Sequence, residues 1–178
     1  MTTREYLDTP ETVLPSELAY GELRVRESPG VNHQRVVRDL TIVLDRFVRE
    51  RRLGEVLPAP MDVVLDREAD LVVQPDILFV SAARRHLLTG KVEGPPDLVV
   101  EVLSPNPRIG RTEEKVTWYA RYGVRECWLV DAPRKQLVVL RFEDGRVAAR
   151  ALFGPADDVQ SSVLDGLLLR PADVGAWW

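Results

Sequence analysis

Cysteine occurs once in this 178-residue chain, histidine twice, and lysine only at positions 91, 115 and 135. The lone Cys127 excludes an internal disulfide and any multi-cysteine zinc site, and its place in the apolar stretch 127–130 makes a core role the expectation. His33 and His86 are the only histidines, and there is neither a glycine-rich phosphate loop nor a nucleophile elbow. A serine-type hydrolase and a nucleotide-binding enzyme therefore lack their parts. No apolar run approaches a membrane span. The polar opening 1–10 has no apolar segment of the secretory kind, so a reducing cytoplasm is the expected setting.

What is present is ordinary globular material, 45% hydrophobic and 29% charged. It predicts a single domain over 1–178, with a core of about 17–142 and a decorating C-terminal segment over 143–178. The net charge of −4 argues against a protein that coats nucleic acid, though not against a local basic surface. Arginines gather at Arg35, Arg38, Arg46, Arg49, Arg51 and Arg52. Asp39, Asp45 and Glu50 are interspersed at helical spacing, which favours a solvated, ion-paired face over a phosphate-facing one.

Residues 17–27 predict a hairpin turning near Tyr20 and Gly21. From Asn32 to Arg52 the apolar positions Val36, Leu40, Val43, Leu44, Phe47 and Val48 recur at helical spacing, with Asn32 as N-cap and Gly54 as the stop. Two strands, about 55–65 and 71–80, should form an antiparallel pair around "DREAD". A strand over 97–103, a helix in "EEKVTWYARYG" ended by Gly123, and strands in "ECWLVD" and "QLVVLRF" follow. Strand, helix crossover and strand imply a parallel pair covered on both faces.

Two carboxylates are out of place in this pattern. Asp76 lies in "VVQPDILFV" and Glu101 in "DLVVEVLS", and burying an unpaired charge in such runs is costly. Alternation puts Glu101 with Val99 and Leu103, and Asp76 with Gln74 and Leu78. Each acid alone could pair with an arginine or cap a turn. Two on neighbouring strands would raise each other's pKa unless a cation lay between them, and a divalent metal fits. Mg²⁺ commonly takes one or two carboxylates, with water and substrate phosphate completing its shell. Lys115 is the third oddity: with Thr112 as cap it falls in a first helical turn, where the macrodipole disfavours a cation. It is either an exposed lysine compensated by Glu113 and Glu114, or an ammonium aimed at the strand end that carries Glu101.

The segments "YGEL" at 20–23, "VNHQR" at 31–35, "VVQPDILFV" at 72–80, "GPPDLVVEVLSP" at 94–105 and "EEKVTWYARYGVRECWLVD" at 113–131 occur in this order. Together they resemble the Uma-two family of bacterial endonucleases within the PD-(D/E)xK nuclease superfamily. The resemblance implies an α/β restriction-endonuclease-like core: a central mixed β-sheet flanked by helices, with an N-terminal hairpin. It implies a Mg²⁺-dependent endonuclease of DNA, with Mn²⁺ as the other candidate metal. Asp76 matches the motif aspartate and Glu101 its second acid; both would hold metal. The motif lysine is replaced by Leu103, and Lys115 from the following helix stands in for it. Glu22 would assist metal or water placement, His33 and Gln34 would support the site, and Arg108 and Arg111 would touch phosphates, while for Arg24 and Arg26 ordinary surface charge is favoured over that role. A homodimer is expected, and the apolar pair Trp177 and Trp178 either anchors its interface or folds back onto the domain. The alternative is a restriction-like domain without catalysis that binds nucleic acid or a protein partner.

Overall fold

The computed structural model describes residues 1–10, 15–25, 28–103 and 111–174. A short helix α1 (Thr3–Leu7) precedes the hairpin β1 (Ser16–Ala19) and β2 (Glu22–Val25), and α2 (Val31–Arg51) follows. Next come β3 (Gly54–Pro58), β4 (Val63–Asp66), β5 (Leu71–Val73), β6 (Ile77–Ser81), β7 (Val92–Glu93) and β8 (Leu98–Val102). The chain continues with α3 (Arg111–Tyr122), β9 (Glu126–Asp131), β10 (Gln136–Glu143) and β11 (Arg146–Phe153). No described helix is long and apolar enough to cross a membrane.

The central sheet has the order β11-β10-β9-β8-β6-β3. It is mixed: β8 and β9 run parallel across the α3 crossover, and the other neighbours are antiparallel. Strand alternation divides its side chains between two layers. Ile77, Phe79, Leu98, Val100, Trp128, Val130, Leu137 and Val139 pack beneath the apolar stripe of α2. Leu78, Val80, Val99, Cys127, Val138 and Leu140 face α3 through Trp118 and Tyr119. Cys127 is thus a core residue, as its surroundings in the sequence predict.

The two long strands expected at 55–65 and 71–80 each divide in two. A second sheet, β2-β1-β5-β4-β7, takes their inner halves, while their outer halves β3 and β6 pair in the central sheet. The crossings lie at 59–62 and 74–76, where Pro60 and Pro75 interrupt the ladder because proline has no N–H to give. The antiparallel pairing is therefore as expected in both halves, but it runs through two sheets. At the outer end of β3 a side chain has no room: a Cβ on Gly54 would stand 2.0 Å from the Val80 carbonyl oxygen.

The hairpin turns at Tyr20 and Gly21, both with positive φ (50° and 84°), the geometry of a two-residue type I′ turn. Tyr20 then meets Trp118 of α3 edge-on, with ring centroids 5.8 Å apart. Helix ends differ in detail from the sequence reading. Gly30, not Asn32, precedes the first turn of α2, and Arg52 in the left-handed region closes it before Gly54 is reached. The arginine face of α2 is ion-paired as expected, through Arg38–Asp39, Arg46–Glu50 and Arg49–Asp45. Helix α3 already includes Thr112, so Lys115 is its fifth residue, beyond the first turn. Beyond residue 143 the chain adds the edge strand β11 and buries Val159, Leu164, Leu167, Leu169 and Val174 under α2.

Candidate active site

The site lies at the seam where the chain passes between the two sheets. Glu17 comes from β1, Asp76 from the residue before β6, Glu101 from β8 and Lys115 from α3. Their exposures are 5, 9, 7 and 3%, so four ionisable groups are gathered almost entirely out of water. Burial of this kind is tolerated only where charges are paired and hydrogen-bonded. The Lys115 ammonium supplies that pairing: it lies 2.9 Å from Glu17 Oε1, contacts Glu101 Oε1, and is 3.5 Å from the Gln74 carbonyl oxygen. One turn further along α3, the Tyr119 hydroxyl donates to the same Glu101 oxygen at 2.5 Å. Positions 115 and 119 share a helix face, which is why α3 brings two donors to one carboxylate. Burial, and the charges of Glu101 and Glu17, hold the Tyr119 hydroxyl well above the ordinary phenol range, so it remains a donor.

Asp76 is held from the other side of the sheet. Its Oδ2 accepts from the Val102 amide at 2.7 Å and stands 3.2 Å from His33 Nε2, near the start of α2. An ionised carboxylate has no proton to give, so Nε2 carries it. Burial pushes the Asp76 pKa up. The His33 hydrogen bond and charge, the Lys115 charge and the Val102 amide outweigh burial and hold it below the ordinary value. For His33 burial acts downward, yet Asp76 and then Glu101 raise its pKa. Because Asp76 precedes β6, strand alternation does not govern its side chain. The β6–β8 register, in which Ile77 faces Val100, nevertheless sets Asp76 beside Glu101 when extended by one residue.

Of the residues singled out in the sequence, Asp76, Glu101, Lys115 and His33 are brought together. Glu22 is not: it stays exposed on the edge strand β2, with Oε2 3.1 Å from Arg24 Nη2. Arg24 in turn bonds Glu114 at 2.7 Å and lies over the Trp118 ring, so it fastens the hairpin to α3. Gln34 is exposed on α2. Arg111 is the first residue of α3. Arg26, Arg108, Trp177 and Trp178 lie outside the described residues. The sequence reading missed Glu17 and Tyr119. For Tyr119 a signal existed, its i+4 spacing from Lys115; for Glu17, on a four-residue strand, none did.

Does this donor set suit a divalent cation? Three carboxylates face one ammonium and one imidazole, which leaves an excess of negative charge. Among the described residues no three His, Cys, Asp or Glu side chains group closely enough to form a metal cage. That disfavours zinc, whose sites take three or four protein ligands, but not Mg²⁺, which is held by one or two carboxylates and keeps its waters. Two buried atoms, His33 Nδ1 and Gln74 Oε1, have no hydrogen-bond partner. The Gln74 amide is oriented by its Nε2, which donates to Asp62 Oδ1 at 2.7 Å, so Oε1 is an acceptor waiting for a donor. The surplus of negative charge on the adjacent carboxylates Asp76 and Glu101 suits a hydrated hard cation.

Comparison with known proteins identifies the family and the fold. The model of the Uma2 family, described as "Putative restriction endonuclease", matches residues 3–172. A solved structure described as a putative nuclease belonging to DUF820, from Anabaena variabilis, superposes with a TM-score of 0.82. It is 21% identical and the match covers 99% of this chain and 98% of that one. No curated protein matches the chain in sequence. The chain belongs to the Uma2 family, and its fold is restriction-endonuclease-like.

Proposed function

We infer that the protein is a metal-dependent endonuclease that hydrolyses phosphodiester bonds of DNA, with Asp76 and Glu101 holding Mg²⁺ or Mn²⁺. The observation that carries this reading is the position of Lys115. Its ammonium reaches Glu101 from the helix after β8, although the residue just past that strand, where a lysine would stand, is Leu103. The family supports a nuclease, and the buried acid pair with a lysine beside it supports metal-assisted hydrolysis.

In this reading each residue has a distinct task. Asp76 and Glu101 supply anionic oxygens, and the metal, when bound, polarises a phosphoryl oxygen and lowers the pKa of its water. Lys115 orients the attacking water and stabilises charge that develops on the phosphoryl group, a role suited to an ammonium in a site of low dielectric. His33 fixes the Asp76 carboxylate by its Nε2 proton, and Tyr119 fixes Glu101. Arg108 and Arg111, which lie between Glu101 and Lys115 in the sequence, would hold the substrate backbone by sequence-independent phosphate contact.

The test is cleavage of supercoiled plasmid and of single-stranded DNA at low salt, with Mg²⁺, Mn²⁺ or EDTA, by the native protein, Glu101→Ala and Asp76→Ala. Metal-dependent nicking lost in both variants is expected. Nicking that persists in folded Glu101→Ala, or that ignores EDTA, would refute the assignment.

A further inference from the structure

We propose that Glu17 is a positioning residue of this centre, one that sets how strongly Lys115 competes with the metal for Glu101. The proposal rests on the reading of Asp76 and Glu101 as metal-holding groups and adds a residue to it.

Glu17 and Glu101 lie in different sheets, yet both carboxylates meet one ammonium. A lysine seated on a metal-holding carboxylate opposes metal binding twice, by occupying an oxygen and by like charge. Without Glu17, more of that ammonium's attraction would fall on Glu101, the carboxylate it contacts. Glu17 draws part of it back toward the second sheet. Mg²⁺ is held by one or two carboxylates, which Asp76 and Glu101 already supply in that reading, so a third ligand is not needed. Glu17 Oε1 is instead engaged by Lys115 at 2.9 Å and by the Gln74 amide at 2.9 Å. The Gln74 contact fixes it: the amide is part of the seam crossing next to Asp76, so Glu17 is braced by the backbone that positions the motif aspartate. Glu17 thus acts through Lys115, and its influence should vanish when the lysine is gone.

Glu17→Gln removes the charge but keeps an oxygen for the Gln74 amide. Titration calorimetry with Mg²⁺ alone, without DNA, is the readout. Glu17→Gln should weaken Mg²⁺ binding about tenfold, the scale of coupling between directly contacting groups. Lys115→Met should tighten it. In the double variant, affinity should lie within about threefold of Lys115→Met alone, because neighbouring groups couple and the mediator is absent. Should Glu17→Gln not fold, Glu17→Asp withdraws the same charge by one methylene and should weaken binding in the same direction. An unchanged affinity in Glu17→Gln overturns the proposal, and so does an equal loss with and without Lys115, which would make Glu17 a direct ligand. Asp76→Asn separates the two levels of inference. If the native protein binds Mg²⁺, Asp76→Asn does not, and Glu17→Gln is indifferent, only the role of Glu17 fails. If the native protein binds no Mg²⁺, the metal-dependent reading fails and takes the role of Glu17 with it.

Discussion

Lys115 on α3 and Glu17 on β1 meet at 2.9 Å, joining the helix that covers the central sheet to a strand of the other sheet. Both residues are almost wholly buried, so the pair is part of the structure as well as of the chemistry. Removing one partner of such a pair strands a charge in low dielectric, which costs more than the pair itself contributes. Here Lys115→Ala strands two carboxylates at once. In EDTA at pH 7 the variant should lose about 3–5 kcal/mol in urea unfolding. Lys115→Ala combined with Glu17→Gln should lose less than the sum of the two single variants. Strict additivity would show that the pair does not couple the sheets.

The His33–Asp76 contact predicts a pH dependence of the metal-free protein. His33 has a raised folded pKa, so its contribution is complete below the ordinary histidine value of about 6.5 and is lost as pH rises through the raised one. Asp76 has a depressed folded pKa, so its contribution is complete above the ordinary value of about 3.9 and is lost as pH falls through the depressed one. Both are present together between about pH 4 and 6.5. His33→Asn should cost roughly 1.5–3 kcal/mol there, the range for a hydrogen bond to a charged group, and less at pH 9. The measurement is urea unfolding across pH in EDTA; a cost that grows above pH 7 would contradict the assignment.

Much of this centre is legible in the sequence because a charge in an apolar run breaks a local pattern. Glu101 between Val100 and Val102, and Asp76 before "ILFV", declare themselves in this way. The α2 stripe and the β8–α3–β9 crossover follow from spacing over a dozen residues or more. What is not legible depends on pairing between distant segments. Nothing local in residues 54–66 says that Val56 belongs to one sheet and Val64 to another. The prolines mark where the ladder breaks but not where each half goes. Glu17 and Glu22 show the same limit. Both are acids on one face of the hairpin, but β1 is an inner strand beside β5 and β2 is the edge, so one meets Lys115 while the other meets Arg24.

Cys127 sits directly opposite Val99 in the β8–β9 register and is fully buried on the α3 face. Burial, and then the charge of Glu101, pushes its thiol well above the ordinary range. The thiolate is the reactive form, so the native protein should resist alkylation at pH 8.5, where an exposed thiol of ordinary pKa about 8.5 is half ionised. Iodoacetamide labelling followed by mass spectrometry should show modification only after unfolding in guanidinium. Stoichiometric labelling of the folded protein would place the cysteine outside the core.

Glu126 is the least expected of the buried acids, since it opens an apolar strand and its neighbour in sequence, Arg125, pairs with Asp97 instead. It is fully buried, and its carboxylate accepts from Trp128 Nε1 at 2.7 Å, Ser161 Oγ at 2.6 Å, Ser162 N at 2.8 Å and Ser162 Oγ at 2.7 Å. Four donors replace the water it gave up, and three of them belong to the segment after β11. The carboxylate therefore fastens that segment to β9, just before it lays Leu164, Leu167 and Leu169 into the core under α2. Glu126→Ala leaves the buried Trp128 Nε1 unsatisfied, at about 1–3 kcal/mol, while the serine donors, nearer the surface, lose the anchor that ties them to β9. The loss should appear first as local opening, because the segment is held mainly by this cluster and its apolar contacts. Hydrogen exchange should rise over residues 159–174 while β8 and β9 remain protected. Glu126→Gln, which keeps one acceptor oxygen, should lie between the native protein and the alanine variant. If exchange in Glu126→Ala rises uniformly through the central sheet, the carboxylate is a general core determinant and not a fastening for the C-terminal segment.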